Sequence, residues 1–313
     1  MMKSPHEIAD GVWFLRTLMV NVYMVKTPTS WVLIDTGLPG YASAIREAAA
    51  RCVGTSLPPA AIVLTHGHFD HVGSLEPLLE EWPVPVFAHR LEGPYLTGRS
   101  KYPPPDPLAG GGSMAWLSRL YPRGPIDVSD RLELVPEGGT VPYLDGWRWL
   151  ATPGHSPGHI SLFRDTDRTL IAGDAVITTK QESLLAVATQ RREIHGPPAY
   201  YTPDWQTAGE SVGHIAALRP DVLATGHGDP LRGADMRDAL RTLAAHFDEE
   251  EVPRIGRYSE TPAITDERGL VRLPPDPLPK VLAGVAIAAG LAWTLATRRR
   301  RETTVDETVP SPS

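Results

Sequence analysis

Alternation of short apolar runs with amphipathic stretches predicts strands and helices in mixed order. Runs rich in Val, Ile and Leu are typical of strands, whereas apolar residues spaced three and four apart indicate helices. In the first ninety residues the predicted strands are 12–15, 20–25, 31–35, 61–65 and 84–89, and the predicted helices are 41–53 and 72–81.

The later part of the chain continues the pattern. Predicted strands lie at 131–135, 147–151, 160–163, 169–172 and 221–224, and predicted helices at 204–218 and 234–250. The recurring order is a strand, a short loop bearing His or Asp, and then a helix. An α/β sandwich presents a site along one edge in this way.

Residues 99–127 break this rhythm with clusters of proline and glycine interleaved with aromatic side chains. Such clusters are typical of loops, so we predict a long surface excursion. A substrate lid and an ordinary insertion are both compatible with this composition.

The C-terminal part of the chain is predicted to lie outside the catalytic domain. We expect a catalytic domain over residues 1–252, a proline-rich linker over 253–280 and a polar tail over 298–313. Between linker and tail, residues 281–297 are uncharged and mostly apolar, which predicts a single transmembrane helix near the short limit for spanning a bilayer. A helix lying on the membrane or docked on the domain is the alternative.

The N-terminus shows no secretory pattern, so we expect membrane association through this C-terminal helix, with the catalytic domain in the cytoplasm. The formal net charge of −7 gives no basic field that would gather nucleic acid. The single cysteine, Cys52, removes the thiolate-rich zinc classes and leaves His and Asp as candidate ligands. We therefore expect a small-molecule substrate, and the sequence leaves the oligomeric state open.

Four potential metal ligands lie within six residues directly after the strand at 61–65, in the motif His66-Gly67-His68-Phe69-Asp70-His71. Crowding neutral imidazoles and a carboxylate is costly unless they bind something. Three further loops carry candidate ligands beside glycine, namely His155 in TPGHSPGH, Asp174 after Gly173 and His227 between two glycines. These loops predict a metal site.

In this combination and order, the motifs resemble those of the metallo-β-lactamase superfamily of hydrolases, in particular its two-metal branch similar to glyoxalase II and lactonases. The resemblance covers about residues 8–247. It implies an α+β fold, a four-layer αβ/βα sandwich with two mixed β-sheets flanked by helices. It also implies two divalent metal ions, with zinc expected and iron or manganese as alternatives.

Carried over by position, the resemblance implies that one metal is held by His66, His68 and His155 and the other by Asp70, His71 and His227, with Asp174 bridging. Asp70 and Asp174 are the candidate catalytic residues, and Asp70 is also a candidate proton shuttle.

Further residues match the family pattern beside the ligands. Asp35 occupies the place of an aspartate that orients ligands from behind, and His159 either supports the ligands or only packs. The long loop after Asp174 carries candidate substrate contacts at Tyr200, Tyr201 and His195.

Two metals sharing a water predict a bridging hydroxide that cleaves a small ester-like bond, in a thioester or a lactone. Alternatives are an iron-dependent persulfide dioxygenase-like oxidoreductase, a phosphodiesterase of the same fold, or an inactive membrane-tethered binding module. Metal stoichiometry separates the main alternatives, since two ions favour the hydrolase, one iron the oxidation and none the binding module.

Overall fold

The structure is a computed structural model that describes residues 5–54, 56–284, 287–289 and 292–294. The strands in chain order are β1 His6–Ala9, β2 Val12–Thr17, β3 Val20–Lys26, β4 Trp31–Ile34, β5 Ala61–Val63, β6 Val86–Ala88, β7 Leu132–Leu134, β8 Trp147–Ala151, β9 Ile160–Arg164, β10 Thr169–Ile171, β11 Val222–Ala224, β12 Leu231–Arg232, β13 Ile264–Asp266 and β14 Gly269–Arg272. The α-helices are α1 Ala42–Val53, α2 Leu75–Glu81, α3 Gly93–Leu96, α4 Ser113–Leu117, α5 Leu184–Thr189, α6 Trp205–Leu218, α7 Ala234–Ala245 and α8 Phe247–Glu250.

Within the described residues, the strands form sheets of seven, five and two strands. In the seven-stranded sheet β1 to β4 are antiparallel, and β4 to β7 run parallel. In the five-stranded sheet, ordered β12-β11-β10-β9-β8, only the β10–β11 pair is parallel. Both large sheets are therefore mixed, as the sequence predicts.

Three apolar clusters define four layers. One cluster packs α1 and α2 on one face of the seven-stranded sheet, with Ile45, Leu75 and Leu78 buried. The second joins the two sheets face to face, and the third packs α6 and α7 on the outer face of the five-stranded sheet. The predicted αβ/βα sandwich is confirmed.

Most predicted elements are present with ends shifted by one to three residues. The predicted helix 234–250 is divided at His246 into α7 and α8. Residues 99–127 are packed in part, since Tyr102, Ala109 and Met114 are buried, whereas Trp116 and Leu120 are exposed. The proposed lid function of this segment stays a prediction.

The chain divides after Pro274 into two units, Met1–Pro274 and Pro275–Ser313. Residues 253–280, predicted as an extended linker, contain the antiparallel pair of β13 and β14, so this segment is folded in part. The predicted domain boundaries at 252 and 280 stay predictions.

The prediction of a transmembrane helix at 281–297, and with it membrane association, is wrong. No helix in the described part of the chain has the length and apolar character to cross a bilayer. Much of the run is alanine and glycine, whose small apolar surfaces gain little free energy on leaving water. Residues 285–286, 290–291 and 295–297 of this span, and the predicted tail 298–313, lie outside the described residues.

Candidate metal centre

The histidine cluster lies in the loop that leaves β5. This strand lies between β4 and β6 in parallel pairing, so its carboxyl end opens at an edge of the seven-stranded sheet. The loop then turns tightly, with the amide of His71 donating to the carbonyl of His68 at 2.9 Å. His66, His68 and His71 are all buried there.

The other candidate ligands come from the five-stranded sheet. His155 lies between β8 and β9, Asp174 follows β10, and His227 follows β11. Since β10 and β11 are parallel, their carboxyl ends bring Asp174 and His227 to the same edge. The site therefore forms where the edges of both sheets meet.

All seven predicted ligands converge. Three groups have potential ligand atoms that all lie within 4.8 Å of one another, namely His66, His68 and His155; His66, His71 and Asp174; and Asp70, His71 and His227. Shared members link the three groups into one cluster.

The first group has spacings suited to a tetrahedral metal. Nε2 of His155 lies 2.9 Å from Nδ1 of His68 and 3.2 Å from Nε2 of His66. Metal–nitrogen bonds of 2.0–2.1 Å at a tetrahedral angle separate ligand nitrogens by roughly 3.3 Å. One imidazole nitrogen carries a single proton or a single lone pair, so it cannot hydrogen-bond well to both neighbours. A shared cation satisfies all three nitrogens.

Asp174 lies between the first group, which is His66, His68 and His155, and the second group, which is Asp70, His71 and His227. Its Oδ2 is 3.4 Å from Nε2 of His155 and 3.1 Å from Nε2 of His227, while its Oδ1 is 3.4 Å from Nε2 of His71. Oδ2 of Asp70 is 3.5 Å from the same nitrogen of His227. Among the described residues, Asp174 Oδ1 and His71 Nε2 are buried without a hydrogen-bond partner. Buried polar atoms need partners, and a pair of cations would provide them.

Hydrogen bonds behind the imidazoles fix which nitrogen faces the centre. Nδ1 of His71 lies 2.8 Å from Oδ2 of Asp35, and Nδ1 of His227 lies 3.0 Å from the carbonyl of Met19. Both acceptors require a proton on Nδ1, so Nε2 of each ring is the nitrogen that faces the centre.

His66 is oriented through a relay. The Thr65 hydroxyl donates to Oδ2 of Asp35 at 2.7 Å, so its lone pair is free to accept from Nδ1 of His66 at 3.1 Å. Asp35 therefore supports His71 directly and His66 through Thr65. This agrees with the predicted role of Asp35 behind the ligands.

The first group is held neutral by its environment. Burial lowers the pKa of His66 and His155 well below the ordinary value, and nearby imidazoles lower it further. Burial likewise lowers the pKa of His68 to about 3. These rings therefore keep their lone pairs at neutral pH.

In the second group, opposite charges determine the pKa values of the imidazoles and of Asp174. Burial lowers the pKa of His71 and His227, but the charge and hydrogen bond of Asp174, together with Asp35 at His71 and Asp70 at His227, outweigh it and raise both. Burial raises the pKa of Asp174, but His227 and His71 outweigh that effect and hold it well below the usual range. The carboxylate thus attracts positive charge into the site, which favours bound cations.

His159 supports Asp174 rather than joining the ligands. Its Nδ1 lies 2.8 Å from the Thr152 hydroxyl, and its Nε2 accepts the backbone N–H of Asp174 at 2.9 Å. Both ring nitrogens are therefore engaged. Burial lowers the pKa of His159 to about 3, consistent with a neutral ring that accepts at Nε2.

An aromatic wall adjoins the centre, defined here as Phe69, Met114, Tyr121, Tyr200 and Tyr201. The ring of Tyr201 lies 4.8 Å from that of His68 between centroids, and Phe69 lies 5.5 Å from Tyr121. The predicted contacts Tyr200 and Tyr201 thus border the site. The hydroxyl of Tyr201 donates to the carbonyl of Pro122 at 3.4 Å.

His195 occupies a different environment. It pairs with Ile177 in an isolated β-bridge, and its Nδ1 lies 3.1 Å from Oε1 of Glu251. None of the three candidate ligand groups among the described residues includes it. Its predicted substrate contact stays a prediction.

Sequence reasoning missed several supporting residues. Thr65 and the carbonyl of Met19 orient ligands, but neither residue type at those positions predicts this role. Glu92 is fully buried between two ligand loops, although its neighbours Arg90 and Leu91 suggest an ordinary surface turn. Only the three-dimensional pairing of β6 with β5 brings Glu92 near the site.

Comparison with known proteins agrees with this geometry. A family model described as the metallo-beta-lactamase superfamily matches residues 15–227. The probable metallo-hydrolase YflN of Bacillus subtilis (strain 168) is 51% identical over 241 residues, covering 76% of this chain and 91% of that protein. The probable metallo-hydrolase YybB of the same strain is 29% identical over 212 residues, covering 68% and 82%.

Solved structures share the fold. BJP-1, a subclass B3 metallo-beta-lactamase of Bradyrhizobium japonicum, aligns with a TM-score of 0.52 at 20% identity, covering 79% of this chain and 93% of that one. BLEG-1, a B3 metallo-beta-lactamase, aligns with a TM-score of 0.51 at 24% identity, covering 70% and 91%.

Proposed function

Because the chain belongs to the metallo-β-lactamase superfamily of metal-dependent hydrolases, we propose that it is a dinuclear hydrolase that cleaves a thioester or a lactone. The observation that carries this proposal is the position of Asp174, whose two oxygens face nitrogens of both ligand groups. A mononuclear enzyme would not need these additional buried ligands.

In this proposal His66, His68 and His155 hold the first divalent cation, and Asp70, His71 and His227 hold the second, with Asp174 shared. Imidazole and carboxylate ligands suit zinc, and iron or manganese are compatible with the same set. Bound there, the two cations would supply Lewis acidity, lowering the pKa of a shared water and polarising a substrate carbonyl.

The surrounding protein groups orient the imidazole ligands, and one carboxylate is a candidate for proton transfer. Asp35, Thr65 and Met19 hold the imidazoles in the tautomers that present Nε2 to the centre. Asp70 is also the candidate proton shuttle of this proposal, because its side chain is partly exposed at the border of the site, with Oδ2 3.5 Å from Nε2 of His227.

The aromatic wall supports an ester-like substrate. Its members present aromatic rings, a thioether and phenolic hydroxyls, which suit an uncharged acyl group. A phosphodiester carries a negative charge that is ordinarily recognised by arginine or lysine. The composition of this wall therefore favours a thioester or lactone over the phosphodiesterase alternative.

The test is hydrolysis by the purified full chain, with bound metal quantified, against panels of thioesters, lactones, phosphodiesters and β-lactams. We expect close to two divalent ions per chain and turnover of a thioester or lactone. One iron per chain with persulfide oxidation would establish the alternative oxidoreductase, and preferential phosphodiester cleavage would overturn the substrate class.

Asp174→Ala tests the shared ligand. We expect metal content and turnover to fall together, with turnover lower by at least about 100-fold. Asp165→Ala is the matched control, since Asp165 is an exposed partner of Arg148. Unchanged turnover in Asp174→Ala would exclude the bridging role.

A further inference from the structure

A buried carboxylate joins the two loops that carry the ligands of the first group. Glu92 ends a short 3₁₀ turn, Arg90–Glu92, after β6 and is completely excluded from solvent. Burying a carboxylate is costly unless hydrogen bonds replace its hydration, so its partners indicate why it lies there.

The two carboxylate oxygens of Glu92 bind different loops. Oε1 accepts the hydroxyl of Ser156 and the amide of Gly158, each at 2.8 Å, on the loop that carries His155. Oε2 accepts the amide of Gly67 at 2.9 Å, and that glycine separates His66 from His68.

Tyr102 binds Glu92 on the side of the His66/His68 loop. Its hydroxyl donates to Oε2 of Glu92 and accepts the amide of Gly67 at 3.0 Å. Its ring lies 4.4 Å from that of His68 between centroids. Glu92 thus accepts four hydrogen bonds, a set of donors suited to an ionised, acceptor-only carboxylate.

Glycine at positions 67 and 158 allows both loops to approach Glu92 and Tyr102 closely. A Cβ at Gly67 would lie 2.6 Å from the Tyr102 hydroxyl, and a Cβ at Gly158 would lie 2.8 Å from the backbone nitrogen of Glu92. Neither distance is tolerated by a real side chain, so the loops reach Glu92 only because these positions are glycine.

We propose that Glu92 is a positioning residue for the metal centre, whose carboxylate fixes the spacing between the His66/His68 loop and the His155 loop. It touches no ligand side chain and acts through the backbone on either side of them. This inference rests on the ligand set of the proposed function, and it extends the site to a residue that binds the loops on which the imidazoles lie.

Glu92→Gln is the direct test. A glutamine has one accepting oxygen and one donating amide, so its NH₂ must face donors on one of the two loops. The backbone amide of Gly67 or of Gly158 then loses its acceptor, although side-chain volume is nearly unchanged. Glu182→Gln is the matched control, because Glu182 is also buried but accepts the amide of Ala199 instead.

The measurements are the affinity for Zn²⁺ by chelator competition, and the visible absorption of the Co²⁺-loaded protein, with thermal unfolding of the metal-free protein recorded alongside. We expect Glu92→Gln to lower the affinity for one of the Zn²⁺ ions by about 10- to 100-fold and to alter the absorption spectrum of the Co²⁺-loaded protein. Glu182→Gln should leave both unchanged.

A purely structural role gives a different result. Metal-free Glu92→Gln would then unfold at a lower temperature, while Zn²⁺ affinity stayed within about twofold of wild type, and the proposal would be overturned. If Glu92→Gln does not fold, Ser156→Ala removes one hydrogen bond on the His155 side only and should still weaken Zn²⁺ binding severalfold. Wild-type protein that binds no Zn²⁺ would instead refute the proposed function itself.

Discussion

Oδ2 of Asp35 lies 2.8 Å from Nδ1 of His71 and also accepts the hydroxyl of Thr65, so one carboxylate oxygen supports two imidazoles of the centre. Its other oxygen accepts the backbone amide of Thr65 at 2.8 Å. Asp35 itself has a left-handed backbone, with φ of 58°, which a non-glycine residue adopts only at some cost.

Asp35→Asn should therefore weaken metal binding. The amide NH₂ of asparagine would face a donor, so either His71 or Thr65 loses its acceptor. We expect Zn²⁺ affinity to fall by about 10- to 100-fold. Chelator competition measures it, with Asp165→Asn at the exposed surface as the control; equal affinities in the two variants would contradict the role of Asp35.

Gly226→Ala should disrupt the site sterically. A Cβ at Gly226 would lie 1.9 Å from Oδ1 of Asp174, so the carboxylate must move away. We expect loss of bound metal and of at least about 90% of activity. In contrast, a Cβ at Gly213 within α6 meets nothing within 4 Å, and Gly213→Ala should raise stability by up to about 1 kcal/mol. Full metal content in Gly226→Ala would disprove this account.

Tyr200 and Tyr201 offer a matched pair of hydroxyl deletions. The hydroxyl of Tyr201 is bonded to Pro122, so Tyr201→Phe should change kcat by less than about threefold. If Tyr200 donates to the oxyanion of the substrate, Tyr200→Phe should lower kcat by about 100-fold with little change in KM. Steady-state kinetics on the substrate identified by screening decide this, and equal effects of both variants would remove Tyr200 from the mechanism.

The His195–Glu251 pair predicts a pH dependence of stability. Burial lowers the pKa of His195, but the hydrogen bond and charge of Glu251 outweigh it and raise the pKa above the ordinary value. A raised folded-state pKa stabilises the protein below the unfolded pKa, near 6.5, and this contribution is lost as pH rises through the folded-state value.

Glu251→Gln should accordingly lower the melting temperature more at pH 6 than at pH 9. Glu249→Gln is the control, because its partner His246 lies with it on the exposed surface and such pairs contribute little. Parallel melting curves at both pH values for wild type and Glu251→Gln would show that the pair does not titrate as described.

Removal of bound metal should lower thermal stability. At a metal concentration 1,000 times the dissociation constant, binding stabilises the folded state by about 4 kcal/mol, equivalent to about 10 °C in a domain of this size. Calorimetry before and after chelation measures the shift, and readdition of Zn²⁺ should restore it. No shift on chelation would argue against a preformed site.

The cluster of candidate ligands could be predicted from sequence because each member lies in a short motif shortly after a strand. His66, His68, Asp70 and His71 follow one strand within six residues, and their chemistry is recognisable without coordinates. The strands were predictable for the same reason, since apolar periodicity is local, whereas their arrangement in two mixed sheets was implied by the family resemblance.

The supporting residues could not be predicted because their roles depend on contacts between distant parts of the chain. Glu92 meets Ser156 and Gly158 across 64 and 66 residues, and Met19 meets His227 across 208. The burial of part of segment 99–127 could not be predicted either, because its prolines and glycines carry no periodic signal. Tyr102 is nevertheless buried beside His68.

The candidate ligands come from both sheets, and the group that contains His227 cannot be completed until that residue has left the ribosome. A nascent chain therefore has to fold both sheets together before it can hold the second proposed cation. Under the proposed function, cellular metal supply would then influence how long newly made molecules survive proteolysis, so scarcity of the divalent metal would reduce the amount of this protein as well as its turnover.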